Sequence, residues 1–213
     1  MDPRALKPSH AVEQLRGLII AIVRLKELGC ASDLTSALVT GGIGAIEFPL
    51  TQPDALLAIR SVRDRFPNLL VGAGSVLTVD DAKKSIDAGA KFVVAPVADL
   101  PTIAFCVQQG IPVIPGALSP TEILAAHNAG ASAVKIFPAR NLGRSYIKDI
   151  LEPMPFLRLV PTGGVTAENA KAYFQAGAFA LGVGGSILDH DAIARRDWEA
   201  VTNGARRFMQ SIN

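Results

Sequence analysis

One lysine interrupts an apolar segment of the chain, "AVKIFPA" at residues 133–139. A lysine is almost never fully buried without a partner, and an unpaired buried ammonium tends to give up its proton. Lys135 is therefore either a well-paired structural residue or a reactive amine. A neutral lysine amine in an apolar pocket beside a carboxylate is the arrangement that carbonyl chemistry through a Schiff base requires.

An acid and a guanidinium occupy comparable places in two earlier apolar segments. Glu47 lies within "AIEFPL", and Arg24 follows "GLIIAIV". Because side chains alternate along a strand, Lys135 and Phe137 share one face of their segment, and Glu47 faces the same way in its own. Arg24 favours a neutral amine at Lys135, whereas Glu47 favours a charged one. A structural alternative, in which Lys135 and Glu47 form a buried ion pair that holds the interior together, stays open.

Two glycine pairs, each with a hydroxyl beside it, follow the last two apolar segments, in "PTGGVT" and "GVGGSI". Exposed backbone N–H groups at such glycines, next to a helix N-terminus, are typical of phosphate sites. These residues are Thr162, Gly163, Gly164, Gly184, Gly185 and Ser186. The alternative is that the glycines only allow strands and helices to pack closely.

The elements that position these side chains repeat along the chain. Helical stretches end at a glycine, which takes the left-handed conformation without steric cost, and an unalternating apolar run follows within a few residues. Eight such runs are predicted as strands: 17–24, 45–50, 69–76, 91–97, 112–118, 133–139, 158–165 and 180–187.

This pattern predicts an α/β fold, a (β/α)8 barrel forming one domain over residues 1–213, with a short N-terminal helix around 9–16 closing its bottom. An open doubly wound sheet is the alternative, but no G-x-G-x-x-G turn follows the first strand. Functional side chains of such a barrel lie at the C-terminal ends of the strands. Lys135, Glu47, Arg24 and the glycine pairs are therefore expected around one cavity.

Composition excludes several classes of function. With 49% hydrophobic and 19% charged residues the chain is globular, and a net charge of +2 without a basic run predicts no nucleic-acid partner. The first apolar run is far shorter than the roughly 20 residues that span a bilayer, so we expect neither a membrane segment nor a signal peptide. Cys30 and Cys106 lack metal-site spacing. We therefore expect a cytoplasmic protein without a bound metal.

Six motifs, "IEFPL", "VGAGSVLT", "IPG", "VKIFPA", "PTGG" and "GGS", occur in this order and spacing. From about Leu18 to Leu188 the chain resembles the bacterial 2-keto-3-deoxy-6-phosphogluconate (KDPG) and 4-hydroxy-2-oxoglutarate (KHG) aldolases. The resemblance implies a metal-free and cofactor-free class I aldolase that releases pyruvate and assembles as a homotrimer. It assigns the Schiff-base amine to Lys135, the catalytic acid to Glu47 and a carboxylate contact to Ser75.

The resemblance also assigns the phosphate contacts to the two glycine pairs and to the hydroxyl residues beside them, Thr162 and Ser186. The implied reaction splits a 2-keto-3-deoxy-6-phospho sugar acid into pyruvate and glyceraldehyde 3-phosphate, or 4-hydroxy-2-oxoglutarate into pyruvate and glyoxylate. Pro96, Phe137 and Thr51 complete the candidate substrate contacts, with Phe137 excluding water along one wall.

Departures from the family pattern leave the sugar acid open. Thr51 stands where many members carry an arginine, so Arg24 is expected to hold the substrate carboxylate instead. An arginine at that place resembles the branch acting on 2-keto-3-deoxy-6-phosphogalactonate. Arg140 replaces an acidic residue common after the lysine motif, and Ile187 replaces a common tryptophan. The C4 configuration of the substrate therefore stays undecided.

Two other classes use the same barrel. A phosphosugar epimerase or isomerase would need paired acid and base residues or a metal, whereas the predicted lumen holds one acid and no histidine. His10, His127 and His190 are all expected at the surface. A non-catalytic phosphate-binding barrel is the other alternative, because a fold alone does not give a function.

Overall fold

The computed structural model describes residues 10–212. Parallel strands alternate with helices along this part of the chain. The strands are β1 Ile19–Ile22, β2 Ala45–Pro49, β3 Leu70–Gly74, β4 Phe92–Val94, β5 Val113–Ile114, β6 Gly116–Ala117, β7 Val134–Ile136, β8 Leu159–Pro161 and β9 Leu181–Val183. The helices are α1 His10–Glu13, α2 Ala31–Thr40, α3 Ala55–Arg65, α4 Val79–Asp87, α5 Leu100–Gln108, α6 Pro120–Asn128, α7 Gly143–Leu151, α8 Ala167–Gln175, α9 His190–Ala194 and α10 Trp198–Ile212.

The strands form a closed parallel barrel. Six of them pair in the order β5-β4-β3-β2-β1-β9, and three pair in the order β6-β7-β8. A parallel bridge between Thr162 and Gly182 joins the second group to β9. The predicted (β/α)8 barrel is confirmed, and the open doubly wound sheet is wrong.

The fifth predicted strand, 112–118, is divided at Pro115 into β5 and β6. Val113 and Ile114 pair with β4, whereas Gly116 and Ala117 pair with β7. Pro115 has no N–H to donate, but its carbonyl accepts the backbone N–H of Lys135 at 2.8 Å. The interruption therefore leaves the barrel closed and brings the chain beside Lys135.

Alternation along the strands separates the two faces of the barrel wall. On β2, Ile46 and Phe48 are fully buried in the core between strands and helices, and Glu47 lies between them in sequence. The two neighbours of Lys135 on β7 pack in the same core. Both ionisable side chains are thereby directed into the lumen, as the sequence predicts.

A second apolar cluster fills the lower end of the lumen. Val12 and Leu15, in and just after α1, are each 1% exposed and belong to one cluster with Ile20, Phe92 and Val160. The predicted N-terminal helix is confirmed, although it is shorter than 9–16. With the bottom filled by side chains, the opening of the lumen lies at the other end.

One histidine prediction is wrong. His127 is only 4% exposed, because it follows Ile123 by one helical turn on the face of α6 that meets the barrel. Its ring centroid lies 5.2 Å from that of Phe156. His190 is exposed, as expected, and the side chain of His10 lies outside the described residues.

Candidate active site

A cavity of about 540 Å³ opens at the C-terminal ends of the strands. Eleven of the thirteen residues predicted to be functional line it: Arg24, Glu47, Ser75, Pro96, Lys135, Phe137, Thr162, Gly163, Gly164, Gly184 and Gly185. They come from seven different β–α connections or strand ends. The barrel, rather than proximity in sequence, brings them together.

Lys135 lies in the wall of this cavity, on β7. The side chain is 7% exposed, and its backbone is held in register between Gly116 on β6 and Val160 on β8. Its Nζ lies 5.0 Å from the ring centroid of Phe137, which forms an adjacent part of the wall. The amine is therefore enclosed by the protein on most sides while it still reaches the cavity.

Glu47 lies on β2 and is 2% exposed. Burial raises the pKa of this carboxyl above its ordinary value, against the opposing influence of the positive charges of Lys135 and Arg24. Within residues 10–212, no ion pair of 4.0 Å or less joins Glu47 to Lys135. The structural alternative of a closed Lys135–Glu47 pair is therefore not what the structure shows, and both groups remain available to a third molecule.

Gly74, at the end of β3, makes room for the Glu47 carboxyl. A Cβ atom at this position would lie 1.8 Å from Oε1 of Glu47 and 2.5 Å from its Cδ. Such distances are impossible for real atoms, so any side chain here would displace the acid. The glycine explains how an acid on β2 can lie flat against the neighbouring strand.

Ser75 follows Gly74 and has a φ of 55°. This left-handed conformation is uncommon for a residue other than glycine, and such residues are concentrated at functional sites. The strained backbone places Ser75 on the cavity wall, on the same side as Arg24 and Glu47. This arrangement suits the binding of a carboxylate between a hydroxyl and a guanidinium.

The glycine-rich side of the cavity is formed after β8 and β9. Gly163 and Gly164 have φ values of 85° and 89°, and no atom lies within 4 Å of a Cβ built on Gly184 or Gly185. The first pair thus adopts a backbone that other residues rarely take, and the second leaves open space above the chain. Thr162, 4% exposed, donates its hydroxyl to the carbonyl of Val160 at 3.2 Å.

Two predicted contacts lie elsewhere. Thr51 is exposed in the turn after β2 and does not line the cavity. The hydroxyl of Ser186 donates to the carbonyl of Val165 at 2.6 Å, and the residue lines a neighbouring cavity of about 420 Å³ instead. Its side chain is therefore engaged in tying the β9 loop to the β8 loop.

The chain matches a known family of enzymes. A family model for the KDPG and KHG aldolases matches residues 12–204. The chain belongs to this family. It is 38% identical over 205 residues to the 2-dehydro-3-deoxy-phosphogluconate aldolase of Treponema pallidum, a match that covers 95% of this chain and 96% of that protein.

Two further similarities bear on substrate and chemistry. Over 171 residues the chain is 36% identical to a probable 2-dehydro-3-deoxy-6-phosphogalactonate aldolase of Rhizobium meliloti, covering 79% and 81% of the two chains. A solved KDPG aldolase of Legionella pneumophila, with pyruvate captured at low pH as a covalent carbinolamine, has a TM-score of 0.83 and 28% identity to it. That match covers 93% of this chain and 97% of the other. The predicted recognition as an aldolase of this family is confirmed.

Two cavity residues with ionisable side chains were not among the predicted contacts of this aldolase. Arg140 and His190 both line the cavity, and a Cβ on Gly164 would lie 2.5 Å from the Cβ of Arg140. In the sequence, Arg140 stands out only as a departure from the family pattern, although its place three residues after Phe137 puts it in a loop at the open end. His190, assigned to the surface, is both exposed and part of the cavity rim.

Neither a metal-binding cluster nor a membrane-spanning helix is found in the described part of the chain. Among residues 10–212, no group of three or more His, Cys, Asp or Glu side chains is placed to hold a metal ion. No helix in this same part of the chain has the length and apolar character needed to cross a bilayer.

Proposed function

We propose that this aldolase cleaves a 2-keto-3-deoxy-6-phospho sugar acid to pyruvate and glyceraldehyde 3-phosphate through a Schiff base at Lys135. The observation that carries the proposal is a nearly buried amine on a cavity wall, close enough to Glu47 to act on its pKa but without an ion pair to it. The carbinolamine in the Legionella pneumophila relative supports the same chemistry here.

In the first half of the reaction, the neutral amine of Lys135 adds to the C2 ketone, and Glu47 supplies the proton with which the carbinolamine loses water. A carboxyl whose pKa is raised by burial is suited to this work, because it holds a proton at a pH where an ordinary glutamate is ionised. The product is a protonated imine between Lys135 and the substrate.

In the second half, the imine accepts the electron pair of the C3–C4 bond. Glu47, now ionised, takes the proton of the C4 hydroxyl as this bond breaks and glyceraldehyde 3-phosphate leaves as an aldehyde. The remaining enamine is protonated at C3, and water hydrolyses the imine to release pyruvate. One acid thus transfers protons in both halves, which removes the need for a second acid or base.

Binding at the two ends of the substrate aligns C2 with the amine. Arg24 and Ser75 hold the carboxylate, and the backbone N–H groups of Gly163 and Gly164 receive the phosphate beside Arg140. Pro96 and Phe137 form the wall between them. Binding energy gained at the remote phosphate is converted into correct placement of the reacting carbons.

The proposed chemistry is tested by trapping the imine. The protein is incubated with pyruvate and reduced with borohydride, and the modified peptide is identified by mass spectrometry. We expect one pyruvate-derived adduct on Lys135 in the wild type and none in Lys135→Met. Lys148→Met, which removes an exposed lysine from α7, is the matched control and retains the adduct. An unmodified Lys135 would remove the aldolase mechanism.

We propose that the preferred substrate is either the gluconate-derived or the galactonate-derived phosphate, since a phosphogluconate aldolase and a probable phosphogalactonate aldolase are both similar to this chain. Comparison of kcat/KM for these two acids and for 4-hydroxy-2-oxoglutarate identifies the preferred one. Equal cleavage of the two phosphates would show that the C4 configuration is not read by this site.

We further propose a cytoplasmic homotrimer in which residues 1–213 of each chain form one domain. Exposed apolar side chains near the open end of the barrel, at Leu77, Val97 and Leu118 in loops and at Leu100 at the start of α5, offer surface for contact between copies. Sedimentation equilibrium tests the assembly, and a monomer at micromolar concentration would contradict it.

A further inference from the structure

Gln52, in the turn after β2, is a buried polar residue with no place in the chemistry described so far. Its side chain is 7% exposed, although the neighbouring Thr51 is exposed. Burial of a primary amide is costly unless its oxygen and its N–H groups find partners. The partners that Gln52 uses therefore indicate what it does.

The amide of Gln52 holds the chain on both sides of Arg24. Its Oε1 accepts the backbone N–H of Leu25 at 2.6 Å, and its Nε2 donates to the carbonyl of Val23 at 2.9 Å. A longer bond of 3.5 Å reaches the carbonyl of Pro49 from the same Nε2. The residues immediately before and after Arg24 are thus fixed by one side chain from another loop.

Gln52 supports the backbone just beyond the end of β1, where the hydrogen bonds of the sheet stop. β1 ends at Ile22, and the last strand-like bond is the N–H of Val23 to the carbonyl of Glu47 at 2.9 Å. Within the described chain, the Arg24 guanidinium has neither a hydrogen bond nor an ion pair of its own. The direction of this side chain is therefore set by the conformation of its backbone, which Gln52 holds.

We propose that Gln52 is the positioning residue of the carboxylate site. It acts through Arg24, and it links this arginine to the β2 strand that carries Glu47. The inference rests on the proposed function, since it concerns the carboxylate of the keto acid bound at Lys135. Loss of the Gln52 amide is expected to weaken binding of the keto acid while the chemical step stays nearly unchanged.

A double-mutant cycle separates positioning from a merely structural role. The variants are Gln52→Met, which preserves volume without the hydrogen bonds, Arg24→Leu, and both together. Gln108→Met at the exposed end of α5 is the matched control. The readouts are the pyruvate concentration that gives half-maximal borohydride trapping, the trapping rate at saturating pyruvate, and the melting temperature.

We expect Gln52→Met to raise the half-maximal pyruvate concentration by about tenfold in the wild-type background, because small displacements of a binding group have effects of this size or larger. The saturated trapping rate should stay within about threefold. In the Arg24→Leu background, Gln52→Met should cause no further change, since the effects of residues coupled through a shared stretch of backbone are non-additive.

An equal change in both backgrounds, or no change in either, would overturn the proposal. If Gln52→Met does not fold, the same comparison is made with Gln52→Glu, which keeps the acceptor for Leu25 and loses the donor to Val23. A wild-type protein that is not trapped at all would instead refute the proposed function, so the two failures are distinguishable.

Discussion

Substituting Gly74 by alanine should displace the carboxyl of Glu47, the catalytic acid, without changing Glu47 itself. The new Cβ would lie 1.8 Å from Oε1 of Glu47, and ordinary contact begins near 3.4 Å. The carboxyl oxygen must therefore move by about 1.6 Å, the difference between the two distances. A group that transfers protons works only within hydrogen-bond reach, and its contribution is typically 10²–10⁴-fold. We expect kcat to fall by roughly 100-fold.

The assay for Gly74→Ala couples pyruvate release to lactate dehydrogenase, with the sugar-acid phosphate as substrate. Overpacking is expected to cost about 1–3 kcal/mol of unfolding free energy, so the melting temperature is measured as well. Gly29→Ala is the matched control, because no atom lies within 4 Å of a Cβ at that position. A folded Gly74→Ala enzyme with wild-type kcat would show that the position of Glu47 does not limit the reaction.

Three further substitutions test the assigned roles. Glu47→Gln should abolish turnover yet raise the free energy of unfolding at pH 7 by roughly 0.5–2 kcal/mol. Because the pKa of Glu47 is raised in the folded state, the stability of the wild type falls as the pH rises above 4.5 through that raised value. Urea titrations at several pH values should show that the stability advantage of the variant grows over this range. Arg24→Leu should raise KM by about 10- to 100-fold through loss of a charge-assisted hydrogen bond to the carboxylate, and a normal KM would place that carboxylate elsewhere. Arg140→Gln should raise KM about two- to fivefold for the phosphorylated acid but not for its dephosphorylated form, whereas Arg144→Gln, outside the cavity, should change neither.

Much of the barrel follows from local signals in the sequence. Gly89 and Gly130 have φ values of 95° and 101°, so the glycines that end the helices adopt the conformation on which the strand prediction depended. The break at Pro115 was not predicted, because the motif alone does not show which neighbour each half of the strand pairs with. Pairing between distant segments is a property of the assembled sheet.

The candidate site, too, could be predicted from the sequence only in part. Alternation along a strand was enough to direct Lys135 and Glu47 into the lumen, since the side-chain period of two leaves only two choices. The turns after the strands have no such period. Thr51 and Gln52 are adjacent, yet one side chain faces solvent and the other is buried, and only the hydrogen bonds of Gln52 explain the difference.

Two features that local rules disfavour occur together at this cavity. Ser75 adopts a backbone conformation in which glycine is less strained, and Glu47 is an acid buried without an ion pair in the described chain. Neither feature stabilises the fold, since a glycine and a neutral residue would each fit these positions at lower free energy. Residues that oppose stability at one place are expected where chemistry decides their identity. Their convergence on Lys135 therefore supports the location of the active site independently of any similarity to other proteins.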